Sequence, residues 1–126
     1  MSIETNWYVI TGGPSSGTTK TGECLSFLGH YVIPEAARLA IDIGMSQGKT
    51  LAQIRQDEGA FQTKVLRMKI EAEERIPLDR LIFLVRGIPD TTGYYRMNGH
   101  AVSETLELSK IRRYKGIFIL EQLPFE

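Results

Sequence analysis

Short unbroken apolar runs alternate along the chain with longer stretches of helical spacing. The run Trp7 to Ile10 predicts a first strand over about Tyr8 to Thr11. A helix is expected over about Gly17 to Leu28, with Leu25 and Leu28 facing the sheet and Gly29 as its stop. Gly22 reads as its weak point, costing about 1 kcal/mol against alanine. A second strand, about His30 to Ile33, ends at Pro34. Glu35 then opens a helix through Ala36, Ala37, Leu39, Ala40 and Ile43, and Gly44 to Gly48 reads as a flexible break. Thr50 with Gln53 has the capping-box pattern. Beyond it Leu51, Ile54, Phe61, Val65, Met68 and Ala72 form one apolar stripe, so a single long helix is expected from about Leu51 to Arg75. Leu81 to Val85 predicts a third strand at the centre of a sheet. A short helix opening at Pro89, a helix over about Val102 to Arg112 and a fourth strand over Gly116 to Leu120 complete the pattern.

Strands alternating with helices predict an α/β fold with a parallel sheet. Ligands of such sheets sit at the carboxyl ends of the strands. That rule selects Gly12 to Thr19, Glu35, Val85 to Arg86, and Glu121 to Gln122.

The first of these places has chemistry written into it. Gly12-Gly13-Pro14-Ser15-Ser16-Gly17-Thr18-Thr19 lies between an expected strand and an expected helix, the setting of a phosphate-binding loop. Its glycines permit tight backbone angles, so several N–H groups can converge on one anion. The helix start adds unpaired donors and a positive dipole end. Gly12, Gly17 and Thr19 fit G-x-x-x-x-G-K-[ST], but Thr18 holds the lysine position. Lys20 lies two residues further, about 200° around a helix, and should point away from the phosphates. The competing reading is a glycine-rich strand-to-helix turn that binds nothing.

Composition narrows the partners. The chain has 126 residues, enough for one domain with a core, and 42% hydrophobic with 24% charged residues is ordinary for a globular protein. Its net charge is zero, so bulk electrostatics favour neither nucleic acid nor an anionic membrane. The single cysteine, Cys24, forms no internal disulfide and reads as a small filler on a helix in a reducing compartment. Leu81 to Val85 is too short to span a bilayer, and Met1 to Asn6 has no signal pattern. A cytoplasmic location is therefore expected. His30 and His100 have no ligand-spaced companions, which argues against zinc.

The segments "VITGGPSSG", "YVIPEAAR", "RGIPDTTGYYR" and "IFILEQLPFE" together resemble the AAA-type P-loop ATPase family related to the kinase domain of NadR. The resemblance runs from about Asn6 to Glu126. It implies a single three-layer P-loop NTPase domain with strand order 2-3-1-4-5. It also implies ATP or GTP with Mg²⁺ as cofactor, phosphoryl transfer or hydrolysis as activity, and an undefined small-molecule acceptor. Three departures stand out: Thr18 replaces the loop lysine, Val85 replaces the aspartate ending the third strand, and the chain stops where such proteins continue into an arginine-bearing lid and a fifth strand. The expectation is a C-terminally shortened domain over 1–126, with strand order 2-3-1-4, impaired catalysis and an exposed sheet edge that favours self-association. The alternative is a non-catalytic nucleotide- or phosphate-binding module.

On this resemblance Thr19 supplies the Mg²⁺ hydroxyl, against a plain threonine in a first helical turn. Glu35 matches a general base for an acceptor hydroxyl, against a carboxylate stabilising a helix start. Arg86 holds a phosphate or acidic group, against a structural ion pair. Asp90 either compensates for Val85 or caps the next helix. Arg38 lies one turn beyond Glu35, in an acceptor pocket or a surface salt bridge. The basic cluster Lys110, Arg112, Arg113 and Lys115 is expected at a helix end. Tyr94 and Tyr95 could stack on a base or pack in the core.

Overall fold

The computed structural model describes residues 3–13, 16–90 and 111–121. In chain order the elements are β1 (Ile3–Glu4), β2 (Trp7–Gly12), α1 (Thr18–Phe27), β3 (Tyr31–Ile33), α2 (Ala36–Ser46), α3 (Leu51–Ile54), α4 (Glu58–Arg75), β4 (Ile82–Val85), β5 (Arg112–Arg113) and β6 (Gly116–Leu120). They form two compact units, one from Met1–Pro34 with Pro77–Glu126, the other from Glu35–Ile76. Among the described residues no helix is long and apolar enough to cross a membrane.

The first unit is a parallel sheet ordered β3-β4-β2-β6. In terms of the four expected strands this order reads 2-3-1-4. Trp7 to Ile10 pair with Ile82 to Val85, and Tyr8 to Gly12 pair with Gly116 to Leu120. The central strands β2 and β4 carry the core: Trp7, Val9, Ile10, Ile82, Leu84 and Val85 are all buried. Unbroken apolar runs suit them because side chains on both faces leave water. Trp7 is wholly buried, which contributes about 3 kcal/mol, and its Nε1–H donates to the Pro77 carbonyl at 2.8 Å.

Tyr8 begins an aromatic row on one face of the sheet. Its ring lies 5.7 Å from Phe118 and 5.9 Å from Phe83, and His30 meets Phe83 edge-on at 5.5 Å. Toward the carboxyl ends of the strands α1 packs on this same face, and it does so through Gly22. A Cβ there would lie 2.7 Å from Val85 Cγ2 and 3.5 Å from Val32 Cγ1. The glycine that reads as a weak point in sequence is a place where helix and sheet approach too closely for a side chain. Leu28 is exposed rather than turned to the sheet, and Cys24 is exposed as well.

Helix α1 stops as expected at Gly29, whose φ is 96°. Gly29 N–H donates to Ser26 O at 3.0 Å and His30 N–H to Leu25 O at 3.1 Å, a Schellman motif.

A second, two-stranded parallel sheet joins β1 to β5, with Ile3 opposite Arg112 and Glu4 opposite Arg113. Arg112 and Arg113 therefore sit in a strand, not at the end of a helix. Their pairing repeats the β2–β6 neighbourhood one step upstream, and two-residue strands leave no pattern to read.

The helical unit corrects two expectations. Helix α2 runs through Gly44 to Ser46 instead of breaking there. A Cβ at Gly44 would lie 2.7 Å from Ile54, so this glycine serves close packing. The stop is Gly48, at φ 89°, in a second Schellman motif with Lys49 N–H donating to Gly44 O at 3.1 Å. The long helix is two helices. Thr50 and Gln53 do form a reciprocal capping box, but α3 lasts one turn. Asp57 then restarts the chain as N-cap of α4, accepting from Ala60 N–H at 3.0 Å. The core of this unit is Ala40, Phe61 and Val65, with Ala36, Ala37, Ile41, Ile54 and Met68 packed around it. Leu51 lies outside the stripe and is exposed.

Candidate functional site

The loop after β2 is where sequence and structure converge. Gly12 closes the strand in a crowded place: a Cβ would lie 2.5 Å from Ser16 Oγ and 2.7 Å from the Leu120 carbonyl. Only a glycine lets the backbone turn there. Gly17 follows with φ 87° and ψ 21° as N-cap of α1. That left-handed cap has no side chain, so the first N–H groups of α1, which have no carbonyl partner within the helix, receive no side-chain cap either. Ser16 Oγ is buried and has no hydrogen-bond partner among the described residues. A buried hydroxyl without a partner carries a desolvation cost of about 1–3 kcal/mol, which a bound acceptor would remove. Gly13 is exposed, and Pro14 and Ser15 lie outside the described residues.

Thr18, in the lysine position, is buried, and Thr19 beside it is exposed. Lys20 lies on the outer face of α1, where it lines a shallow surface depression with Glu23, Cys24, Phe27 and Leu28. It does not replace the missing lysine.

Next to the loop the end of β4 turns sharply. Val85 is buried against α1 at Gly22 and offers no oxygen atom to a cation. Arg86 has φ 63°, a left-handed backbone uncommon for a non-glycine residue, while its N–H still donates to Ile10 O at 2.9 Å. Its guanidinium Nη1 lies 3.8 Å from Asp90 Oδ1.

Asp90 holds this corner together. It accepts from the Thr11 hydroxyl through Oδ1 and from Gly87 N–H at 2.7 Å through Oδ2. The second bond is one half of a capping box, with Gly87 at the cap and Asp90 at the third helical position. Asp90 thus caps the helical turn that opens at Ile88 and also places a carboxylate beside the end of β2. Thr11 was not a sequence candidate. Its partner is 79 residues away, and no local signal reports such a pair.

Glu35 belongs to the helical unit. It is the N-cap residue of α2, makes no side-chain cap hydrogen bond, and its carbonyl accepts from Leu39 N–H at 3.1 Å. Arg38 pairs with Asp42 at 3.8 Å on an exposed surface, which is the salt-bridge reading. Glu121 is exposed. Tyr94, Tyr95, His100, Lys110 and Gln122 lie outside the described residues.

The residues present fit a phosphate group better than a metal ion. Main-chain donors and a buried hydroxyl gather at Ser16 to Thr19. Among the described residues no three His, Cys, Asp or Glu side chains come together. Mg²⁺ needs few protein ligands when phosphates supply the others.

The family model described as an AAA domain matches residues 7–126, and the chain belongs to that family. Among solved structures, TT1252 from Thermus thermophilus is similar at 15% identity, over 92% of this chain and 88% of that one, with a TM-score of 0.44. No curated protein matches the chain.

Proposed function

We propose that this AAA domain binds ATP or GTP by its phosphates at the Gly12–Thr19 loop, and that phosphoryl transfer or hydrolysis is impaired in it. The observation that supports this reading is the start of α1: a left-handed Gly17 cap without a side chain, beside a buried and unpartnered Ser16 hydroxyl. Backbone donors at a helix start suit an anion, and they need no lysine to do so.

Impairment follows from two side chains. Thr18 brings no positive charge to the phosphates, and buried Val85 brings no oxygen to Mg²⁺. Phosphoryl transfer depends on positioning and charge stabilisation. Loss of one preorganised group costs on the order of 10²–10³ in rate, and two losses cost more without simply adding. In this reading any Mg²⁺ that came with the nucleotide would take the Thr19 hydroxyl as a ligand without setting the affinity, Arg86 would contact a phosphate or acidic acceptor, and Glu35 would serve as general base. A small-molecule acceptor, a cytoplasmic setting and kinship with the NadR kinase domain belong to the same proposal. The second reading, a phosphate-binding module without chemistry, is favoured by the tight packing of Val85 on Gly22, which leaves the last residue of β4 without an oxygen ligand.

Calorimetric titration of ATP and GTP, with Mg²⁺ and then with EDTA, tests both readings. The expected result is weak binding that changes little without Mg²⁺, with slow or no phosphate release. Tight Mg²⁺-dependent binding with turnover would contradict the impairment. No binding under either condition would contradict the proposal.

A further inference from the structure

We propose that the helical unit carries a separate binding site for a small organic anion, in the groove lined by α2, the α3 segment and the start of α4. The groove has a volume of about 670 Å³, within the usual range of about 300–1,000 Å³ for small-molecule sites. Its floor is apolar: Ala40, Gly44 and Phe61 are buried and Ile54 is half-buried. Its rim is charged, and the two signs are unequally engaged. Asp57 caps α4 by accepting from Ala60 N–H at 3.0 Å. Glu58 is paired with the Arg55 guanidinium. Gln53 is held in the capping box with Thr50. Lys49 and Lys64 line the same groove and have no ion pair among the described residues. Glu58 is thus neutralised within the unit, Asp57 keeps its charge as a cap, and the two lysines outnumber it at the rim and remain for a ligand.

An apolar floor below two lysines fits a compact molecule with a flat apolar body and a carboxylate or phosphate at one end. The flat body would lie along Ile54, beside the Phe61 ring that the Arg55 guanidinium already covers at 4.8 Å, and the anion would reach the rim. This site does not rest on the phosphate-loop reading, because all of its residues lie between Ala40 and Lys64.

The test is ¹⁵N-resolved NMR titration of the full chain with 2-naphthyl phosphate, 2-naphthoate and neutral 2-naphthylmethanol. Saturable shifts at the amides of Gly44, Lys49, Ile54 and Phe61 are expected with both anions. The double variant Lys49→Gln/Lys64→Gln, altered only at exposed positions, should bind the anions about tenfold more weakly. The neutral alcohol should bind the native chain no better than the variant binds the anions. A second variant, Ala60→Trp, fills the exposed rim and should abolish the shifts with both lysines intact. A preference for one anion decides between phosphate and carboxylate ligands. Shifts at Gly17 and Thr18 would report the other site and are read separately. Absence of saturable shifts in the groove overturns the proposal, as does equal binding by the neutral alcohol or by the double lysine variant.

Discussion

The Thr11 hydroxyl at the end of β2 donates a hydrogen bond to the Asp90 carboxylate, which enters from beyond the end of β4. The same carboxylate receives Gly87 N–H at 2.7 Å and faces Arg86 Nη1 at 3.8 Å. One acidic group therefore ties two neighbouring strand ends and a helix start together, directly beside the loop that opens α1. Val85 leaves the strand end without a carboxylate, and Asp90 returns one to the same corner from the turn that follows.

Asp90→Ala removes both acceptors and leaves the Gly87 N–H and the Thr11 hydroxyl without their partner. It should destabilise the fold by about 1–3 kcal/mol. Thr11→Val should cost less. A double-mutant cycle between them should show a coupling of about 0.5–1.5 kcal/mol in urea unfolding. Trp7 is the single tryptophan and is fully buried, so its fluorescence reports the transition. Additive effects would mean that the hydroxyl and the carboxylate are not partners.

Gly22→Ala should destabilise the chain, although alanine is the better helix former by about 1 kcal/mol. The added methyl would lie 2.7 Å from Val85 Cγ2, and overpacking of this kind costs about 1–3 kcal/mol. Combining it with Val85→Ala relieves the clash, so the double variant should be more stable than the sum of the two single losses. Thermal unfolding of the four chains checks this, and a stabilised Gly22→Ala would show that α1 lies further from the sheet.

Element order was legible in the sequence because the apolar runs at Trp7 to Ile10 and at Leu81 to Val85 have strand length and turn-forming neighbours. The stops at Gly29 and the start at Thr50 were legible too, since capping is local chemistry. The division of the long helix was not, because Ile54, Phe61 and Val65 keep one apolar stripe running through Asp57. The acidic Asp57-Glu58 start was the signal against that stripe. Gly22 and Gly44 looked like weaknesses because the partners that require glycine, Val85 and Ile54, are ten or more residues away. Of the candidate site, the loop glycines were readable and the Thr11–Asp90 pair was not. Backbone turns are encoded locally, and a side-chain hydrogen bond between residues 79 apart in the chain is not.

Gly17→Val tests the cap of α1. A β-branched residue at φ 87° costs about 1–3 kcal/mol and distorts the turn that opens α1. Binding of ATP, measured by calorimetry, should fall at least tenfold, while far-ultraviolet circular dichroism stays near that of the native chain at a temperature below its melting point. Unchanged affinity would place the phosphates elsewhere.

Thr18→Lys restores a point charge at the helix start, and Val85→Asp restores an oxygen ligand at the strand end. The double variant should bind Mg²⁺-ATP more tightly than the native chain, with a new dependence on Mg²⁺. Val85 is buried, so the aspartate alone should lower stability by several kcal/mol, and melting temperatures are measured alongside the titrations. A folded double variant with no gain in affinity would contradict the roles assigned to these two positions.

On the proposed function, main-chain groups at the start of α1 hold phosphate without help from a lysine or a metal ion. Amide NMR shifts on adding ATP in EDTA measure this most directly. Saturable shifts centred on Gly12, Gly13 and Ser16 to Thr19 are expected, retained when Mg²⁺ is absent. Saturation that leaves those amides unmoved, or that requires Mg²⁺, would contradict it.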